Sequence, residues 1–427
     1  MLISSYTITT GQHNRSIQAH HDVVPSVPDA TRQPRPASNC PSPSHPTSPS
    51  NLWANPKTSN CLSSLSSHIA TPTFIMAATT NPLDTTHNDH PAPTVSAQTY
   101  TIAGILCTVH GLSELPPSTT SITCLWLLHP RLQTAAKMAP LAAEFIHAQN
   151  TRISQNRAGK SPRGLIAVSF DQRNHGSRLV DKMHNEAWRQ GNKTHAQDMF
   201  SCFHGTAVDT SQLISHLESY VFTEQGGPRI SQHFVLGISL GGHAAWHCIL
   251  SDPRITAAVV GIGCPDYTRL MTDRARLSKL DTYTSSSPPG ASFLGSSDFP
   301  LALQRAIAQY DPAGLLLPNI YNATGADAEI GKATLDRFTV LARERLQGKH
   351  ILNLSGKADK LVPYAAGEPF LNVFKQVLKE DPSLNVGFED VLFDGVGHAF
   401  PHSMAEKSSE WICGLLAKEE VPVSSKI

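Results

Sequence analysis

The chain of 427 residues has no net charge and little charge of either sign: 34 Lys and Arg balance 34 Asp and Glu, and charged residues make up 16%. That balance gives no basic footprint for a nucleic acid and no cationic face for a membrane surface, so the expected partner is a small molecule. No apolar run approaches the roughly 18 residues needed to span a bilayer, and the start lacks the continuous apolar stretch of a secretory signal. The eight cysteines, Cys40, Cys61, Cys107, Cys124, Cys202, Cys248, Cys264 and Cys413, form no C-x-x-C pair and no metal-type spacing. Several sit in apolar runs, where a free cysteine behaves as a small hydrophobe; read as reduced, they favour a cytoplasmic protein. The first 21 residues carry Arg15 and no acid, which leaves a mitochondrial address as the alternative.

Residues 1–93 are poor in charge and periodicity and rich in Pro, Ser, Thr, Asn and His, as in the run from Pro41 to Pro49. Such a segment buries too little apolar surface to offset its ordering entropy, so a disordered leader is expected there. Met76 opens Met-Ala-Ala-Thr-Thr and reads as a second possible start, so Met1 and Met76 both stand open, and intact mass separates them. Residues 421–427 read as a short tail.

From Gln98 the pattern changes. Thr99 to Ile102 and Ile105 to Val109, with Ala103-Gly104 between them, read as a hairpin. Ile122 to Leu128 and Gly164 to Phe170 are apolar runs suited to strands buried on both faces. A helical stretch lies between them around Ala135 to Ala148. A long helix is expected from His195 to Phe222, with Phe200, Phe203, Val208, Leu213, Leu217 and Val221 on its apolar side. Strands at Phe234 to Leu236 and Ile255 to Ile262 follow, and the alternation implies right-handed crossovers and a parallel sheet. Between Cys264 and Gly348 the rhythm breaks. An excursion of that size, with Tyr267, Leu270, Met271, Phe293, Leu294 and Phe299 among its polar pieces, reads as a cap or lid inserted at about 264–348. His350 to Leu354 resumes the sheet, Tyr364 to Leu378 is helix, Val386 to Phe393 the last strand and Met404 to Leu416 the closing helix.

The stretch with the most chemistry is Gly237-Ile238-Ser239-Leu240-Gly241, a G-x-S-x-G string between a strand and a helix. In a turn that sharp, side chains at the flanking positions would collide with the neighbouring backbone, and the serine hydroxyl is held out at the sheet's edge. A serine hydroxyl is a poor nucleophile by itself and needs a histidine to take its proton and an acid to orient that imidazole. Asp359 follows the strand at His350 to Leu354, and His398 follows the last strand in a glycine-lightened loop. Loops at the carboxyl ends of parallel strands converge, so Ser239, Asp359 and His398 can meet. Asp394 is the rival acid, since it too follows a strand.

The elbow Gly237 to Gly242, the acid loop Gly356-x-x-Asp359-x-x-Val362-Pro363 and the Gly397-His398 loop, in that order, resemble the α/β-hydrolase superfamily over about residues 98–420, within a domain expected at 94–420. The resemblance implies an α/β fold with a mostly parallel eight-stranded sheet, Ser239 as nucleophile, His398 as base and Asp359 as acid. Asp171-x-Arg173-x-His175-Gly176 is similar to a further segment of the family, with Asn174 in place of a glycine and Arg178 in place of a serine; Asp171 and Arg173 are expected to brace its turn. The family's oxyanion hole uses the N–H after the nucleophile, here Leu240, and a second from the loop after the third strand. That loop departs from the family's His-Gly with His129-Pro130, and because Pro130 has no N–H, Arg131 is the candidate, with Leu132 behind it.

These residues predict a serine hydrolase acting on a carboxylic ester or thioester through an acyl-serine. An amidase or peptidase of the same fold stands as the alternative, as does a ligand-binding protein that keeps the fold without catalysis. Of the 21 histidines most are bystanders, including His243, His247 and His402, and His175 and His195 lack partners at metal-ligand spacing. No metal and no cofactor is expected. Cys264, just after a strand, reads as a buried thiol, with a second nucleophile as the other reading.

Overall fold

A computed structural model describes residues 81–87, 93–159, 162–318 and 330–418, all within the compact unit Phe74–Ile427. The expectations for residues 1–80, 88–92 and 421–427 fall outside the described residues. The leader reading is corrected at one place: residues 81–87 form a turn packed on the domain, with Thr86 buried and Leu83 against the core.

The sheet begins with the hairpin β1 (Ala97–Ile102) and β2 (Ile105–His110). Ala103 and Gly104 join them at φ 50° and 78°, the left-handed pair that a two-residue hairpin turn requires. β3 (Ser121–Leu128), α1 (Ala139–Ser154), β4 (Gly164–Phe170), α2 (His195–Val221), β5 (Arg229–Ile238), α3 (Leu240–Ser251) and β6 (Ile255–Gly261) follow. Next come α4 (Tyr267–Ser278), α5 (Asp281–Thr284), α6 (Leu301–Tyr310), α7 (Pro312–Leu316) and α8 (Lys332–Leu346). β7 (His350–Gly356), α9 (Tyr364–Glu380), β8 (Gly387–Phe393) and α10 (His402–Leu416) complete the order.

Eight strands form one sheet in the order β1-β2-β4-β3-β5-β6-β7-β8. β2 pairs antiparallel with β1 and β4, and every other pairing is parallel. This is the order and direction of the α/β-hydrolase fold. Central strands read as continuous apolar runs because both faces are covered. In β3, Leu125 and Leu127 enter a core shared with α1 and α10, while Cys124, Trp126 and Leu128 enter the opposite core under α2, α3, α8 and α9. Trp126 satisfies its indole N–H on His233 Nδ1 at 3.2 Å.

Two departures concern the helices. Val208 of α2 is 48% exposed, because it lies about 140° around the helix from Phe203 at 100° per residue, off the apolar stripe. The excursion at 264–348 also divides: α8 is a crossover helix of the sheet, with Phe338 packed against the rings of Phe370 and Phe374 of α9, so the insertion proper is α4 to α7. No described helix is long and apolar enough to cross a membrane.

Candidate active site

Ser239 stands between β5 and α3 at φ 56° and ψ −112°, a backbone angle that costs a non-glycine residue of order 1–3 kcal/mol and persists only when its surroundings enforce it. They do. Its N–H donates to the Gly261 carbonyl at 2.8 Å, and its carbonyl accepts from His243 N–H at 3.0 Å. A side chain at Gly237 would overlap the Gly241 carbonyl, and one at Gly241 would overlap the carbonyl of Leu128. Both glycines are therefore required by close approach.

The acid and histidine loops are stitched to each other. Lys357 N–H donates to Phe393 O and Ala358 N–H to Val396 O, both at 2.9 Å. Gly356 leaves room for the carbonyls of Val396 and Gly397. The result is a continuous relay: Ser239 Oγ lies 2.9 Å from His398 Nε2, and His398 Nδ1 lies 2.8 Å from Asp359 Oδ2. The other oxygen, Asp359 Oδ1, accepts from Leu361 N–H at 2.8 Å and Val362 N–H at 2.9 Å. A buried carboxylate that fills three donor contacts in this way has a fixed orientation. Ser239 is only 8% exposed, so its hydroxyl meets little bulk water.

Asp394, the rival acid, is bonded elsewhere. Cys264 is buried, and burial pushes its thiol well above the ordinary range, so it is an inert thiol. All six described cysteines are free and buried.

The loop after β3 is rigid for a reason the sequence did not reveal. Gln172 N–H donates to His129 Nε2 at 3.0 Å, which leaves the ring proton on Nδ1, 2.7 Å from the Pro130 carbonyl. The Gln172 side chain also holds the His129 carbonyl. Burial lowers the His129 imidazole to about 4, so it is neutral as that pattern demands. The Leu128 and His129 carbonyls close on Gly241, which sets this loop beside the serine turn. Leu240, first residue of α3, has no acceptor within its helix. Within the described residues neither the Leu240 nor the Arg131 backbone N–H makes a hydrogen bond, whereas the Arg131 side chain is engaged by the Asn185 carbonyl.

Asp171 accepts from Ala135 N–H at 2.8 Å and Ser177 N–H at 2.7 Å, and Arg173 forms a two-pronged contact with Asp209, the bracing expected of that loop. Asn174 takes the left-handed φ of 59° at the position where the family pattern has glycine, a conformation asparagine tolerates.

Arg274 of α4 was not anticipated. Its Nη2 donates to Leu361 O at 3.0 Å, and its Nη1 lies 3.4 Å from His195 Nε2. Because arginine only donates, His195 accepts there; burial first, then the Arg274 and Arg131 charges, hold that imidazole well below its usual range. Arg274, lowered to about 10 mainly by burial, thus ties the inserted helices to the loop that carries Asp359. Phe293 ties the insertion to the segment between β4 and α2 through an edge contact with Trp188 at 6.1 Å. Neither contact has a sequence signature, since each joins residues far apart in the chain.

No family model matches the sequence, and no curated protein matches it. Among solved structures the chain is similar to TT1662 from Thermus thermophilus, with 15% identity and TM-score 0.45, covering 77% of this chain and 100% of that one. It is also similar to an acylaminoacyl peptidase of Pyrococcus horikoshii, with 11% identity and TM-score 0.39 over 78% of this chain. The chain spans 43% of that peptidase. A third is 2,6-dihydroxy-pseudo-oxynicotine hydrolase, with 14% identity and TM-score 0.39, covering 76% of this chain and 68% of that one. These likenesses carry no substrate or activity over to this chain.

Proposed function

We propose that this chain, built on the α/β-hydrolase fold, is a serine hydrolase that cleaves a carboxylic ester or thioester through an acyl-serine intermediate. The observation that supports it is the relay from Ser239 Oγ through His398 to Asp359, with contacts of 2.9 and 2.8 Å. In this reading Ser239 attacks the carbonyl carbon while His398 Nε2 takes the hydroxyl proton, and Asp359 holds Nδ1 and supports the imidazolium that forms. The carbonyl electron pair moves onto oxygen, met by the free N–H groups of Leu240 and Arg131. Collapse expels an alkoxide or thiolate, which the proton on His398 neutralises. A water activated by His398 then releases the acid and restores the serine.

Pro130 replaces a glycine of the family pattern, and the network of His129 with Gln172 supports the view that this loop is held without one. Six free, buried thiols favour a reducing, cytoplasmic setting.

The test is reaction of the purified protein with a fluorophosphonate, followed by mass mapping, with Ser239→Ala as control. Labelling at Ser239 that disappears in the variant is expected, followed by turnover of esters or thioesters ahead of matched amides. Faster turnover of the amides would make it an amidase. A folded protein that takes no label would turn the reading to a binding protein of the same fold.

A further inference from the structure

A second group of chemistry-bearing side chains lies outside the serine relay. His87 closes the turn at 81–87, Glu144 stands on α1, and His402 is the first residue of α10. Each offers one ligand atom, and the three atoms lie within 4.8 Å of one another. All three residues are half-buried. His87 Nδ1 and Glu144 Oε2 stand 3.6 Å apart, too far for a hydrogen bond. Glu144 Oε2 and His87 Nε2 are enclosed, and neither has a hydrogen-bond partner. Enclosed polar atoms without partners call for an explanation.

The neighbouring backbone brings these residues together. Thr86 Oγ1 donates to Phe400 O at 2.6 Å, and Phe400 N–H donates to Pro82 O at 2.8 Å. Those bonds flank His87 on one side and His402 on the other, so the two imidazoles are held close before any ligand arrives.

We propose that His87, Glu144 and His402 form a binding site for a divalent transition-metal ion, with zinc preferred and a fourth position left to water. Two imidazoles and one carboxylate form a donor set that suits zinc, while magnesium and calcium seek oxygen ligands alone. Ligand atoms at 2.0–2.2 Å from a tetrahedral ion lie about 3.4 Å from each other, so side-chain rotation that draws the present atoms in by at most about 1.4 Å would complete the site. Glu406, one turn along α10, is near enough for its charge to be felt at Glu144. It would help offset the positive helix end on which His402 sits. The ion would clip the turn at 81–87 to α1 and α10, and its binding does not depend on the reaction proposed at Ser239.

The experiment uses the full, untagged chain after chelation, titrated with zinc and with magnesium by calorimetry, with Tm and bound metal measured alongside. One zinc per chain, a Tm raised by several degrees and little response to magnesium are expected. In His87→Ala and in Glu144→Gln, which keeps the glutamate's shape, zinc affinity is expected to fall about 100-fold or more, with the Tm shift lost. Equal zinc affinity in both variants would mean that other histidines bind it, and would overturn the assignment. So would the absence of zinc binding, or magnesium bound as tightly as zinc.

Discussion

Asp394 is bonded to Lys357, whose Nζ lies 2.8 Å from its carboxylate, and that carboxylate is 84% exposed. The pairing turns it away from His398 and leaves Asp359 as the carboxylate on the imidazole. Asp359→Asn is expected to lower kcat by on the order of 10⁴, the loss seen when a triad aspartate is amidated and the wrong tautomer results. Asp394→Asn should leave kcat/KM within about twofold, since it breaks only a solvent-screened pair. Steady-state kinetics on an ester that responds to fluorophosphonate inhibition would check both, and a reversed ranking would reassign the acid.

Gly241 and Gly414 predict opposite signs for the same substitution. A methyl at Gly241 meets the carbonyls of Leu128 and His129, whereas one at Gly414 on α10 meets nothing within 4 Å. Gly241→Ala should cost about 3 kcal/mol or more, because backbone must move to admit it. Gly414→Ala should gain up to about 1 kcal/mol from helix propensity. Urea unfolding monitored by far-UV circular dichroism measures both; a neutral Gly241→Ala would contradict the packing at the serine turn.

Asp209 of α2 is buried and receives Arg173 at 2.8 Å and Arg178 at 2.9 Å. Asp209→Asn removes the charge that both arginines share. Arg173 is half exposed, so the expected loss is about 2–3 kcal/mol, below that for a fully buried pair. The shift should be visible in the urea midpoint with the m-value unchanged.

Stability should peak between about pH 6.5 and 9. Burial lowers His129 and His233 to about 4 and His243 to about 3, from a reference value of 6.5. Below 6.5 the unfolded chain takes up protons that the folded one refuses, so the stability present above 6.5 drains away as pH falls towards 4. Burial pushes Cys107, Cys202 and Cys248 up to about 12 from 9.0. Their contribution is complete below pH 9 and is lost as pH rises towards 12. Each group adds a slope of at most about 1.4 kcal/mol per pH unit. Urea midpoints from pH 5 to 10.5 should fall on both sides, and Cys107→Val should make the alkaline limb shallower; an unchanged midpoint at pH 10.5 would contradict this.

What could be read from the sequence follows from how local each signal is. β3, β4 and β5 are apolar runs whose burial on both faces is written in consecutive residues. Ser239, Asp359 and His398 each follow a strand and carry motif glycines, so their meeting could be anticipated. Val208 is apolar, so residue type alone places it with the apolar side of α2, although its angle sets it well off that stripe. The helices α4 to α7 carry no motif that says where they sit, and tertiary contacts such as Arg274 with Leu361 define their places. His87, Glu144 and His402 are scattered along the chain, and no spacing rule joins a turn, a helix middle and a helix start. The neutral His129 became visible only with Gln172 beside it.

The turn at 81–87 has a bearing on how far the chain can be trimmed. Composition draws the domain's edge near residue 93, but Pro82 and Thr86 both bond to Phe400, two residues beyond His398. A shortened chain beginning at Met76 keeps that backstop, and one beginning at 94 gives it up. The second would free the Phe400 carbonyl and slacken the loop that aims the imidazole. Residues that look like filler therefore set the play in the group that must carry a proton.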